Sequence, residues 1–151
     1  MAEKRPLCIY SGNPEEIHTG DTVYGSGGGT ITLPITFTMN GGGSVLTTGT
    51  KGWVVTPFAG TITGWTLLVN PSGTMQIDIW KDILANFMPT DSDSITASAP
   101  VYISSAYTAH DETLSGWTTS FSAGDVFAFN IDSCSTIQHA VLVLTVTQNV
   151  S

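Results

Sequence analysis

Positive charge is scarce in this chain: 4 Lys and Arg residues stand against 12 Asp and Glu, for a formal net charge of -8. Lys4 and Arg5 sit together near the start, so Lys51 and Lys81 alone serve the remaining sequence. Nucleic-acid binding needs clustered cations to neutralise phosphates, and this distribution excludes it. Anionic membrane surfaces are disfavoured for the same electrostatic reason. Long apolar runs are missing too; none approaches the roughly 20 residues of a spanning helix, so no membrane partner is expected. The opening Met1-Ala2-Glu3-Lys4-Arg5-Pro6 lacks the apolar stretch of a secretory signal, which implies folding in a cytoplasm.

Cysteine is nearly absent. Cys8 and Cys134 make no disulfide framework, and both are expected as free thiols. Neither has a second ligand at metal-site spacing, and His18, His110 and His139 stand alone, so no zinc site is expected. Charged residues of both signs amount to 11% while 41% are hydrophobic, which leaves Ser, Thr, Asn and Gly to cover the surface. At 151 residues the chain is long enough for one domain with a substantial core.

Residues 1–29 are punctuated by Pro6, Gly12, Pro14, Gly20, Gly25 and the run Gly27 to Gly29, a spacing that defeats helix and long strand alike. This segment reads as an extended N-terminal arm ending in a Gly-rich linker. Leu7, Ile9, Tyr10, Ile17 and Val23 would be its assembly contacts with a neighbouring surface.

Residues 30–151 read as a second region, an all-β domain. Short β-branched and aromatic runs alternate with turn residues over Ile31 to Met39, Gly52 to Phe58, Thr61 to Val69, Thr74 to Lys81, Val101 to Ser105, Gly116 to Phe121, Asp125 to Ile131 and Ile137 to Thr147. Asn40-Gly41-Gly42-Gly43, Asn70-Pro71-Ser72-Gly73 and Ala123-Gly124-Asp125 predict hairpin-type turns. Between Asp82 and Pro100 lies an irregular stretch with a single helical turn near Ile83 to Phe87. Short strands with almost no helix predict an antiparallel β-sandwich of jelly-roll type.

Alternation along Thr74 to Trp80 puts Met75, Ile77 and Ile79 on one face and Gln76, Asp78 and Trp80 on the other. The second set is a candidate subunit interface or glycan surface, with a subunit contact preferred. Asp91-Ser92-Asp93-Ser94 clusters loop oxygens of the kind calcium takes, against the reading of a turn whose side chains bond their own backbone. His110-Asp111-Glu112 point in different directions in an extended chain. No Gly-x-Ser-x-Gly elbow is present, and Asp78 with Asp82 form the one obvious carboxylate pair. No catalytic residue, cofactor or metal is expected, and the chain reads as no enzyme.

The ordered set Asn40-Gly41-Gly42-Gly43-Ser44, Lys51-Gly52, Pro57-Phe58, Asp78-Ile79-Trp80-Lys81-Asp82, Ala85-Asn86-Phe87, Asp93-Ser94-Ile95-Thr96, Leu114-Ser115-Gly116-Trp117-Thr118 and Phe129-Asn130-Ile131-Asp132-Ser133 resembles a module of tailed-bacteriophage structural proteins. The likeness runs from about Phe37 to Thr147, and Ile17 to Thr22 resembles the short leader ahead of such modules. Met88 departs from it, standing where a second proline often precedes Pro89. In that family the module occurs in tail-fibre, head-fibre and capsid-decoration proteins. The resemblance implies a virion component made in the host cytoplasm. The expectation is a capsid decoration (cement) protein, a homotrimer bound through its arm to the major capsid protein or another virion protein. The alternative is a receptor- or glycan-binding tip of a head or tail fibre.

Overall fold

The computed structural model describes residues 29–150. The arm contacts Leu7, Ile9, Tyr10, Ile17 and Val23 lie outside the described residues. Among the described residues there are seven strands: β1 (Gly29–Asn40), β2 (Gly49–Val55), β3 (Gly60–Ile83), β4 (Val101–Asp111), β5 (Ser120–Phe121), β6 (Asp125–Ser135) and β7 (His139–Val150). They run in the order β1-β7-β3-β6-β2, with β4 and β5 also paired to β3. All the registered pairings are antiparallel.

This sheet is folded over on itself because β3 belongs to both layers. Its first half, Thr61 to Asn70, pairs with β7, and its second half, Thr74 to Ile83, pairs with β6. The strand β4 follows it round the bend, meeting Trp65 to Leu68 with its last residues and Gly73 to Ile77 with its first. The first layer is therefore β1-β7-β3-β4 and the second β2-β6-β3-β4, which is the sandwich the strand pattern predicts. Phe37 of β1 stacks on Phe129 of β6 between the layers, with centroids 4.4 Å apart. Around that pair lie Leu67, Leu142 and Leu144 of the first layer and Ile77, Ile79, Phe127 and Ile131 of the second, all fully buried. The alternation read from Thr74 to Trp80 holds, since Met75, Ile77 and Ile79 are in this core.

The three predicted hairpin turns are corrected. Asn70-Pro71-Ser72-Gly73 is the corner of β3: its flanks pair with β7 and β6 rather than with each other. Ser105 of β4 takes a φ of 49° beside that corner, and its amide donates to Thr74 Oγ1 at 3.1 Å. The β6–β7 turn closes the same corner, with Thr136 Oγ1 donating to Ser72 O at 2.7 Å and Gln138 N to Asn70 O at 3.0 Å. Asn40-Gly41-Gly42-Gly43 carries the chain from β1 to the opposite layer, anchored by Gly41 N donating to Gln138 O at 2.8 Å. Ala123-Gly124-Asp125 does turn tightly, with Gly124 at a φ of 90°, yet β5 and β6 pair with opposite ends of β3. The predicted helical turn near Ile83 is a 3-10 turn at Leu84–Asn86.

After β4, Asp111 builds a turn of its own. Its two carboxylate oxygens accept from Leu114 N at 3.0 Å and Thr113 N at 3.1 Å. Those amides, Leu114's first, hold the carboxyl below the ordinary aspartate value. A depressed carboxylate adds stability that is complete above its unfolded value and is lost as pH falls through the folded one. Below about pH 4, Thr113 and Leu114 amides should therefore lose exchange protection, and Asp111→Asn should flatten that dependence. Equal acid profiles in the two proteins would refute the assignment. Cys134 is a free thiol, and burial pushes its ionisation up.

Candidate functional site

The second layer ends in a loop, Leu84 to Pro100, that a single carboxylate ties down. Asp78 is 8% exposed. Its oxygens accept from Trp80 Nε1 at 2.7 Å, Ser94 Oγ at 2.7 Å, Ile79 N at 2.8 Å and the Thr96 hydroxyl. Burial of a carboxylate is tolerated when donors replace its water, and here four do. The loop is held at the backbone too, by Ile95 N donating to Ile79 O at 2.9 Å and by an isolated bridge between Trp80 and Ser94.

Of the face proposed from alternation, Asp78 is thus an internal anchor, with its oxygens spent on the loop. Gln76 is half-buried and donates to Asp132 Oδ2 at 3.1 Å. Trp80 is half-buried, with its indole nitrogen directed to Asp78. Asp91 and Asp93 fall in a 3-10 turn whose capping box uses the Asp93 carboxylate to accept from Thr90 N at 2.7 Å. That is the turn-forming reading of this segment. Among the described residues, no three His, Cys, Asp or Glu side chains come together as a metal site would require.

The anchored loop carries large apolar side chains outward. Trp53 and Val55 lie on the edge strand β2, on the face where Trp53, Ala128 and Trp80 are cross-strand neighbours. Phe87 of the loop meets Trp53 edge to face, with centroids 5.3 Å apart. Trp53 is 44% exposed, Phe87 52% and Met88 55%, and Val55, Ile83 and Leu84 beside them are exposed as well. Single exposed apolar residues are ordinary, whereas a group at one end of a sheet has the character of surfaces that partners cover. Aromatic and Met side chains are the types enriched where partners meet. Acids border it: Asp82 precedes Ile83, and Asp91 follows Met88 by three positions. Lys81 is already paired with Asp125 at 3.2 Å and does not offset them.

All four tryptophans fall in or beside predicted strands, and alternation ranks Trp80 first among them, ahead of Trp53. The usable signal was the Lys51-Gly52-Trp53-Val54-Val55 alternation, which places Trp53 with Val55 opposite the inward Val54. What it could not give was that β2 lies at an edge and that Phe87 reaches it. The other tryptophans serve the interior: Trp65 and Trp117 are buried, and Trp117 Nε1 donates to Ala99 O at 2.7 Å.

No family model and no curated protein match this chain. Among solved structures it is similar to the "Structure of infectious bursal disease virus Gx strain", at 12% identity with a TM-score of 0.19. That likeness covers 97% of this chain and 46% of the other, and a TM-score so low carries no argument.

Proposed function

We propose that the protein is a structural component of a tailed-bacteriophage virion, a capsid decoration protein that cements the shell. The observation that carries this is the exposed Trp53–Phe87–Met88 surface, an interaction-type patch with acids at its border and no catalytic constellation beside it among the described residues. The sequence resemblance to phage structural modules supplies the setting. In this reading the patch docks on the major capsid protein or another virion protein, and cationic groups around the partner's binding site would complement Asp82 and Asp91. The arm residues Leu7, Ile9, Tyr10, Ile17 and Val23 add contacts, and several copies acting together as a trimer turn weak contacts into firm attachment.

The test is binding to particles stripped of this protein. Trp53→Ser with Phe87→Ser is expected to weaken binding by about 100-fold, as loss of central apolar anchors does elsewhere. Both side chains are exposed, so the body should stay folded. Deleting residues 1–25 is expected to abolish attachment with the sandwich intact. Full binding by both variants would overturn the proposal. The exposed Trp53 ring favours one second reading, a fibre tip that stacks on a sugar. A saccharide on a glycan array whose binding is lost in Trp53→Ala would replace cement with receptor binding.

A further inference from the structure

The outer face of the first layer has a composition unlike the rest of the surface. Outward positions on β1 are Thr32, Pro34, Thr36 and Thr38, alternating with the inward Leu33, Ile35, Phe37 and Met39. On β7 they are Val141, Val143, Thr145 and Thr147, alternating with the buried Ala140, Leu142, Leu144 and Val146. The register places Thr66 and Leu68 of β3 beside Val143 and Val141, and His110 and Thr108 of β4 beyond them. No Asp, Glu, Lys or Arg occupies any of these positions. Asp111 and Glu112 follow His110 at the end of β4, Glu112 at the rim of a hollow of about 220 Å³ lined by Thr32, Thr63, Thr66 and Thr145.

We infer that this uncharged face is where one copy of the chain meets another. The inference rests on the proposed assembly role and names the surface that self-association uses. Charge decides the occupant. Copies with a net charge of -8 repel one another wherever carboxylates are brought together. Asp82, Asp91, Asp93, Asp125 and Asp132 belong to the second layer and its connections, whereas among the described residues the first layer carries Asp111 and Glu112, both at the end of β4. A cationic partner is drawn to the second layer, and a like-charged copy approaches at least cost on the first.

Area sets the strength. Four strands about 4.8 Å apart, with outward positions on β1 and β7 spread over roughly 20 Å, offer on the order of 400 Å² per copy. A pair then buries about 800 Å², the size of a weak, reversible contact. Thr and Val side chains are stiff at χ1 and lose little freedom when covered. Leu68, 45% exposed in the isolated chain, is the largest apolar group there to be withdrawn from water. Pairing through this face leaves the Trp53–Phe87 patch free for the shell.

The experiment is sedimentation equilibrium of the full chain in the absence of particles. The protein is expected to sediment as a multiple of 15.9 kDa. Leu68→Glu with Val143→Glu is expected to sediment as a monomer, with an association constant reduced at least 100-fold and an unchanged far-UV spectrum. Thr36→Glu, at an exposed position of an edge strand, provides the same reading should the double variant lose its fold. Trp53→Ser with Phe87→Ser should leave the oligomer intact, which separates this surface from the docking patch. A monomeric wild-type chain, or glutamate variants that associate as tightly as it does, would overturn the inference whatever particle binding shows.

Discussion

Asp78→Ala is expected to destabilise the sandwich by about 3 kcal/mol, because it leaves buried donors without an acceptor. The carboxylate serves the Trp80 indole, the Ser94 and Thr96 hydroxyls and the Ile79 amide together. The hydroxyls can rotate to other acceptors, whereas the indole and amide are fixed by ring and backbone. At this domain size the loss corresponds to a fall in Tm of roughly 10 °C. Asp78→Asn keeps one acceptor oxygen and should lose about 1 kcal/mol. Denaturant unfolding followed at Trp fluorescence measures both. The effect reaches function, since the same carboxylate anchors the loop that presents Phe87 and Met88, so Asp78→Ala should weaken particle binding beyond its loss of folded protein. Wild-type stability in Asp78→Ala would remove the anchor from the argument.

Gly73→Ala is expected to be at least as damaging, at about 3 kcal/mol or more, for a steric reason. A Cβ on Gly73 would run into the Ser135 carbonyl oxygen and the Thr136 hydroxyl, and into Ile137 Cγ1 at 2.7 Å. These belong to the β6–β7 turn that closes the corner of β3, and a backbone oxygen there cannot swing aside as a long side chain would. Gly42→Ala is the control. Gly42 also carries a constrained backbone, with a φ of 64°, but a Cβ there meets nothing within 4 Å. It should cost about 1 kcal/mol. Equal unfolding midpoints for the two variants would show that the corner relaxes and that close packing at Gly73 is not what holds it.

Alternation is a local property, and it carried the fold class. The inward side of Met75, Ile77 and Ile79 and the strand character of most of the chain could be read without any partner strand. Pairing is not local. Asn70-Pro71-Ser72-Gly73 has the composition of a hairpin turn, and nothing within it reveals that the flanking segments bond to β7 and β6. The site was partly legible for the same reason. Asp78 and Trp80 were correctly placed on one side of their strand, but Ser94 and Thr96, which spend the Asp78 oxygens, come from a loop whose path the sequence does not set. Trp53 and Phe87 are separated by more than thirty positions and meet through the order of strands.

The strand order also governs when this chain can begin to fold. None of β1, β2 and β3 pairs with another of the three: β1 needs β7, β2 needs β6, and β3 needs partners that all follow it. During synthesis the first half of the sandwich therefore emerges with no hydrogen-bonded neighbour for its ladders. Its longest strand waits for β4, and its outermost ones wait for the last segments of the body. Such a topology defers cooperative folding until β7 has been made and makes it slow once begun. Nascent chains stalled before residue 125 should consequently remain protease-sensitive and engage chaperones, and only release of β6 and β7 should render them resistant.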